Sequence, residues 1–178
     1  MTRILLSALL LGAMSLAVAQ ESNDSQNQSL LERMKSSFQK FTDEEMNSAG
    51  RSDVDLEPTG AAPPVSRVRV VRVGSTQGWT EDIPPGATAT VRDHGGPEIY
   101  VLTYVKGYGG FRDHANFAGN DAVPKEGPIP VDEDGDGVTD GWGQIWDISK
   151  PPNDSGIFVF IANSINAGPS LSTSLRIR

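Results

Sequence analysis

Ile99-Tyr100-Val101-Leu102-Thr103-Tyr104-Val105 is apolar on both of its alternating faces. A strand with one face in water would alternate apolar and polar residues. A run like this one reads as a central strand covered on both sides. It is bounded by turn signals, His94-Gly95-Gly96-Pro97 before it and Gly107, Gly109 and Gly110 after it.

Outward from this strand the hydrophobic period stays at two. Arg67 to Val73 is strand-like, with Val68 and Val70 on one face. The phase then slips to Val71 and Val73, which predicts a bulge near Val70-Val71. Ala87 to Val91 alternates with Thr88, Thr90 and Arg92 after the Pro84-Pro85-Gly86 turn, and is expected to form another strand. Gly141 to Ile148 puts Trp142, Trp146 and Ile148 on one face. Ile157 to Ala162 is expected to be a second strand buried on both sides. At the C-terminal end Leu171, Thr173, Leu175 and Ile177 face in, while Ser172, Ser174, Arg176 and Arg178 face out. Short strands with Gly/Pro punctuation and no helical period predict an all-β fold. The expectation is a compact antiparallel β-sandwich or barrel of six or more strands over residues 65–178.

The chain before Val65 has a different character. Residues 1–19 have the form of a signal peptide: Arg3, the apolar run Ile4 to Ala13, and Ala17-Val18-Ala19 as a cleavage site. The run is short for a membrane span, so the protein is expected to be secreted or periplasmic, with no membrane span. Residues 20–64 hold a polar stretch, an amphipathic helix and a Pro/Gly linker. Ser29-x-x-Glu32 is a capping box, followed by Leu30, Leu31, Met34, Phe38 and Phe41 at helical spacing. About three turns of helix are marginal alone in water, so its stripe must pack on something. Its own β-domain is the plain expectation; a pro-segment or a partner-binding helix is the alternative. Residues 65–178 are expected to fold without it.

Composition narrows the function classes. The 178 residues carry a formal net charge of −8, and residues 65–178 hold 14 acidic and 10 basic side chains. Five of those acids lie in residues 132–140, so the remainder is nearly balanced, and no basic stripe marks a nucleic-acid surface. The absence of cysteine excludes disulfides, thiolate metal sites and cysteine nucleophiles.

The concentrated charge is Asp132-Glu133-Asp134-Gly135-Asp136-Gly137-Val138-Thr139-Asp140. Aspartates at loop positions 1, 3 and 5 are how a short loop collects oxygens for Ca²⁺, which takes six to eight at roughly 2.3–2.6 Å. Gly137 at position 6 permits the turn, Val138 offers its carbonyl at position 7, and Asp140 falls at position 9. Position 12 is Gly143, so the bidentate Glu of an EF-hand is missing. The metal candidates are thus Asp132, Asp134, Asp136, Val138 and Asp140, with Asp147 near enough in sequence to complete a shell. The side chain of Glu133 is expected to point away from the set. The pattern D-x-D-x-D-G-x-x-D resembles the calcium loops of thrombospondin type 3 repeats and related bacterial modules. The alternative is an acidic turn closing a hairpin at Asp136-Gly137.

Other chemistry is sparse. Both histidines occur in the tripeptide Arg-Asp-His, at His94 and His114. The strand between them should separate the two rings by roughly 20 Å, leaving two surface histidines at strand ends. Trp79, Tyr108 and Phe111 are candidate ligand-binding aromatics, with Phe117 as a neighbour; Tyr108 and Phe111 could instead plug the end of the sandwich.

Gly78-Trp79 before the Pro84-Pro85 turn, Asp93-His94-Gly95-Gly96, Gly107-Tyr108-Gly109 and the terminal Ser174 to Arg178 together resemble the YolA-like family of small secreted bacterial proteins. That resemblance implies a secreted all-β protein and carries no catalytic residue. Two functions remain in view. One is a non-catalytic secreted calcium-binding module meeting a glycan or protein surface; the other is a small hydrolase using His94 or His114 beside a carboxylate.

Overall fold

The computed structural model describes residues 29–36, 62–109, 113–149, 155–165 and 168–178. The signal-like stretch, residues 37–61 of the predicted helix and linker, and Phe111 lie outside the described residues. A helix, α1, covers residues 30–36. Nine strands follow: β1 Arg67–Ser75, β2 Trp79–Asp82, β3 Ile99–Lys106, β4 His114–Phe117, β5 Asn120–Asp121, β6 Val123–Val131, β7 Gly141–Asp147, β8 Gly156–Asn163 and β9 Ser170–Ile177. They form two antiparallel sheets, β2-β1-β3-β7-β6 and β5-β4-β8-β9.

β3, the strand read as central, is the middle of the five-stranded sheet, and both its faces are covered. Ile99, Val101 and Val105 point into a core shared with Phe158, Phe160, Leu175 and Ile177 of the second sheet. Tyr100, Leu102 and Tyr104 point the other way, into a second core with Val71, Ile145, Leu30 and Met34. α1 therefore docks on its own β-domain and forms a third layer. Leu30 and Met34 are buried there, and a Cβ added at Gly74 would lie 2.6 Å from Met34 Sδ. The helix is packed as core, which is the plain expectation for its apolar stripe.

The β1–β3 register shifts between Val70 and Arg72, the bulge that the slip in valine phase predicts. Val70 and Val73 reach the inter-sheet core while Val71 reaches the helix side. β9 keeps the expected alternation, with Leu175 and Ile177 buried and Ser172, Ser174 and Arg176 exposed. Trp146 and Ile148 lie in the inter-sheet core, Trp146 donating from Nε1 to Thr103 Oγ1 at 2.9 Å.

Two expectations change. Ala87 to Val91 forms no strand; it makes one parallel bridge, Ala89 to Arg176. Two bonds with the backbone of Arg176 take its polar groups, and Val91 stands 86% exposed. β8 is buried on one face only, with Phe158, Phe160 and Ala162 inward and Ile157 49% exposed. α1 covers the five-stranded sheet, and among the described residues nothing covers the outer face of the other. β6 is a strand despite Pro124, Pro128 and Pro130, because it lies at a sheet edge where a missing N–H breaks no ladder.

Candidate cation site

The acidic loop connects β6 to β7, closing a hairpin whose last pair is Val131 with Gly141. The Asp140 N–H donates to the Val131 carbonyl at 2.7 Å, and Gly135 and Gly137 take the left-handed backbone (φ 76° and 86°) that glycine allows. Within the loop the aspartates cap backbone. Asp132 accepts from the N–H of Gly135 at 2.7 Å and of Gly137 at 2.8 Å; Asp136 accepts from Val138 at 2.7 Å.

Asp132, Asp134 and Asp136 each bring one carboxylate oxygen to a common place, all within 4.8 Å of one another. An ionised carboxylate has about four lone-pair sites, so the backbone bonds leave acceptor capacity for a cation. Burial pushes the Asp132 carboxyl up, but the N–H groups of Gly137 and Gly135 together hold it below the usual carboxylate range. It is thus ionised at neutral pH and able to ligate. Val138 is half exposed and Asp140 turns one oxygen to the Glu133 N–H at 2.7 Å. Burial, followed by the charge of Asp134 and others, raises the Asp140 carboxyl above its ordinary value. Asp147 does not join them. It lies at the far end of β7, opposite Tyr100, roughly 20 Å along the strand from Gly141, and faces Lys125 at 3.7 Å.

Glu133 does point away from the aspartates, and it is 4% exposed. Its carboxylate accepts from Tyr104 Oη and Lys106 Nζ, with Arg67 Nη2 at 3.6 Å. Burial alone would raise its carboxyl, but the Lys106 and Tyr104 bonds pull it below the usual range. The same burial, with Glu133 beside it, pushes the Tyr104 phenol far up. The loop is thereby pinned to β3 and β1 at the one residue whose side chain leaves the water.

The aromatics do not form a single patch. Tyr108 donates to the Thr139 carbonyl at 3.3 Å and packs edge-on against Trp142, with ring centroids 6.0 Å apart. It stands beside the acidic loop. Trp79 is at the opposite end of β1, some 25 Å away by strand rise, half exposed and with the Arg33 guanidinium 5.2 Å over its ring. Phe117 is buried in the inter-sheet core, and Phe111 lies outside the described residues.

The histidines correct the sequence reading. His94 is fully buried, not at the surface. Its Nδ1 lies 3.2 Å from Ser75 Oγ and its Nε2 3.2 Å from Glu81 Oε2. Glu81 also accepts from the N–H of Val91 at 2.7 Å and of Arg92 at 2.8 Å, and Ser75 Oγ accepts from Gly78 at 2.6 Å. Burial works to raise the Glu81 carboxyl, but the N–H groups of Val91 and Arg92, with His94, hold it below the ordinary range. A serine, a histidine and a carboxylate in a row suggest a nucleophile, yet the Ser75 hydroxyl and the His94 ring are both fully buried and face no surface. They act as a clasp for loop 91–94. A Cβ at Gly78 would collide with the Asp93 carbonyl and reach His94 Nδ1 within 2.9 Å. The motifs Gly78-Trp79 and Asp93-His94-Gly95-Gly96 are therefore two sides of one contact, a relation spacing alone does not reveal. His114 is exposed on β4, opposite Ile161, which pairs with Ser172. The His94 N–H bonds to the Arg178 carbonyl, six positions along β9 from Ser172, so the two rings are on the order of 20 Å apart.

No curated protein and no solved structure matches this chain. A family described as a domain of unknown function, DUF4879, matches residues 57–177, which takes in every strand of both sheets and the acidic loop. With well over half its length matched, the chain belongs to the DUF4879 family.

Proposed function

We propose that this protein is an exported, non-catalytic β-sandwich that binds Ca²⁺ in loop 132–140 and meets a glycan or protein surface beside it. The observation that carries the reading is the convergence of Asp132, Asp134 and Asp136, three carboxylates within 4.8 Å on one exposed loop. Like charges held that close repel, and a bound cation removes the repulsion. Oxygen-only donors in an open, irregular loop suit Ca²⁺ better than Mg²⁺, which demands a tight octahedral shell near 2.0–2.1 Å. The Val138 carbonyl, at the seventh loop position, supplies a further oxygen in this reading. Export is supported by the form of residues 1–19 and by the resemblance to YolA-like secreted proteins. Tyr108, bonded to Thr139 of the loop and packed on Trp142, is the aromatic placed to feel whether the loop is ordered.

Two variants test the site. Asp134→Asn and Asp136→Ala should each remove most of the rise in melting midpoint that Ca²⁺ produces, while the metal-free proteins remain folded. A calcium-dependent rise that survives both substitutions would place the ion elsewhere. The surface ligand is sought on a glycan array run with Ca²⁺ and with a chelator; the reading expects binding only in the first.

A further inference from the structure

The two sheets have four edges, and three are blunted. β2 is four residues long and carries Glu81 and Asp82; β5 has two residues. β6 carries Pro124, Lys125, Glu126, Pro128 and Pro130, and its register shifts twice. These are the devices by which sheets avoid pairing with other chains. β9 has none of them. It runs eight residues in unbroken register with β8, from Gly156–Ile177 to Asn163–Ser170, without proline or bulge.

The direction of its free backbone groups is set by one contact. Arg176 donates its N–H to the Thr88 carbonyl and accepts at its carbonyl from Thr90, both at 2.9 Å. Both groups of Arg176 therefore point away from β8, and those of Ser174, Ser172 and Ser170 point the same way. Among the described residues nothing meets them. The open window is bounded on one side by the start of β9 at Ser170 and on the other by the Thr88–Thr90 segment over Arg176. Its centre is Ser172.

We infer that two copies of this protein associate through this window, as an antiparallel β9–β9 pair with its twofold axis at Ser172. In that pairing Ser172 faces Ser172 of the second copy, Ser170 faces Ser174, and Leu171 faces Thr173. The outer side chains are small and uncharged, and the half-buried Leu171 gains cover. Arg176 would face position 168, outside the partner's strand, so the guanidinium groups do not meet. Residues 132–140, which hold five acids, connect strands of the other sheet. Three pairs each exchanging two bonds give about six intermolecular hydrogen bonds. The contact is at the small end of the range for specific interfaces, so association is expected only at tens to hundreds of micromolar.

Sedimentation equilibrium of the purified protein, from about 10 µM to about 1 mM, should show the mean mass rise from that of one chain towards twice that value. Ser172→Pro removes an N–H that points away from β8, so the strand loses no bond within the chain. It should weaken association at least about tenfold while the dilute protein melts as before. If that variant fails to fold, Ser172→Lys keeps the backbone, sets two like charges on the axis, and should weaken association several-fold. Amide exchange at Ser170, Ser172 and Ser174 should slow as concentration rises. A monomeric mass throughout, or association untouched by whichever variants fold, overturns the inference.

Discussion

Glu133 sits between the half-buried Asp132 and the exposed Asp134, yet its own carboxylate is buried against Tyr104, Lys106 and Arg67. Alternation already sends its side chain to the opposite face from Asp132 and Asp134, and that much follows from sequence. What it meets there depends on β3 lying under the loop, a contact between residues 27 and 29 positions apart. Glu133→Gln should therefore leave the heat of calcium binding nearly unchanged but destabilise the protein. Lys106 is partly exposed, so the loss should be about 2 kcal/mol, below the 3–5 typical of fully buried pairs. Urea denaturation with and without Ca²⁺ separates the two effects. Glu81 makes a second prediction at this scale. Its folded carboxyl is held below the ordinary value of 4.5, so it contributes stability above that value, lost as pH falls through the lower folded one. Glu81→Gln should thus be less stable than the parent at pH 7, and the difference should be smaller at pH 3. A urea midpoint difference that stays constant between those conditions would show that the Glu81 charge is not what clasps loop 91–94. The clasp itself was hidden in sequence, because Ser75, Glu81 and His94 lie on separate turns of chain.

At the scale of elements, α1 contributes through its packing. Met34 is fully buried against sheet residues. Met34→Ala should cost about 2–4 kcal/mol, since it opens a cavity against Gly74 and Leu30. Thermal or chemical unfolding checks this; a loss below about 0.5 kcal/mol would return the helix to the status of an appendage. The strands legible from period alone were those whose two faces meet different surroundings, such as β9, or are both covered, such as β3. β6 carries no strand signal in sequence, because Pro124, Pro128 and Pro130 are compatible with a strand only at a sheet edge. Ala87 to Val91 misled because its alternation is real, but the chain crosses to Arg176 for a single bridge rather than running beside a neighbour. β8 was overread for a related reason: Ile157, Val159 and Ile161 are apolar, but no layer covers that face among the described residues.

For the whole molecule, the architecture is three layers, and the acidic loop hangs from the end of the sheet that both cores share. Its anchor is Glu133 inside, and its free side is Asp132, Asp134 and Asp136 outside. A cation binding only this folded loop stabilises the protein by mass action, about 2.7 kcal/mol when free ion stands a hundredfold above its dissociation constant. Calorimetric titration of the purified protein with Ca²⁺ decides whether this loop holds the ion. A saturable heat with one ion per chain is predicted, together with a raised melting midpoint and a much weaker response to Mg²⁺. No heat at millimolar Ca²⁺, with an unchanged melting curve, would contradict it and leave loop 132–140 as an acidic turn between β6 and β7.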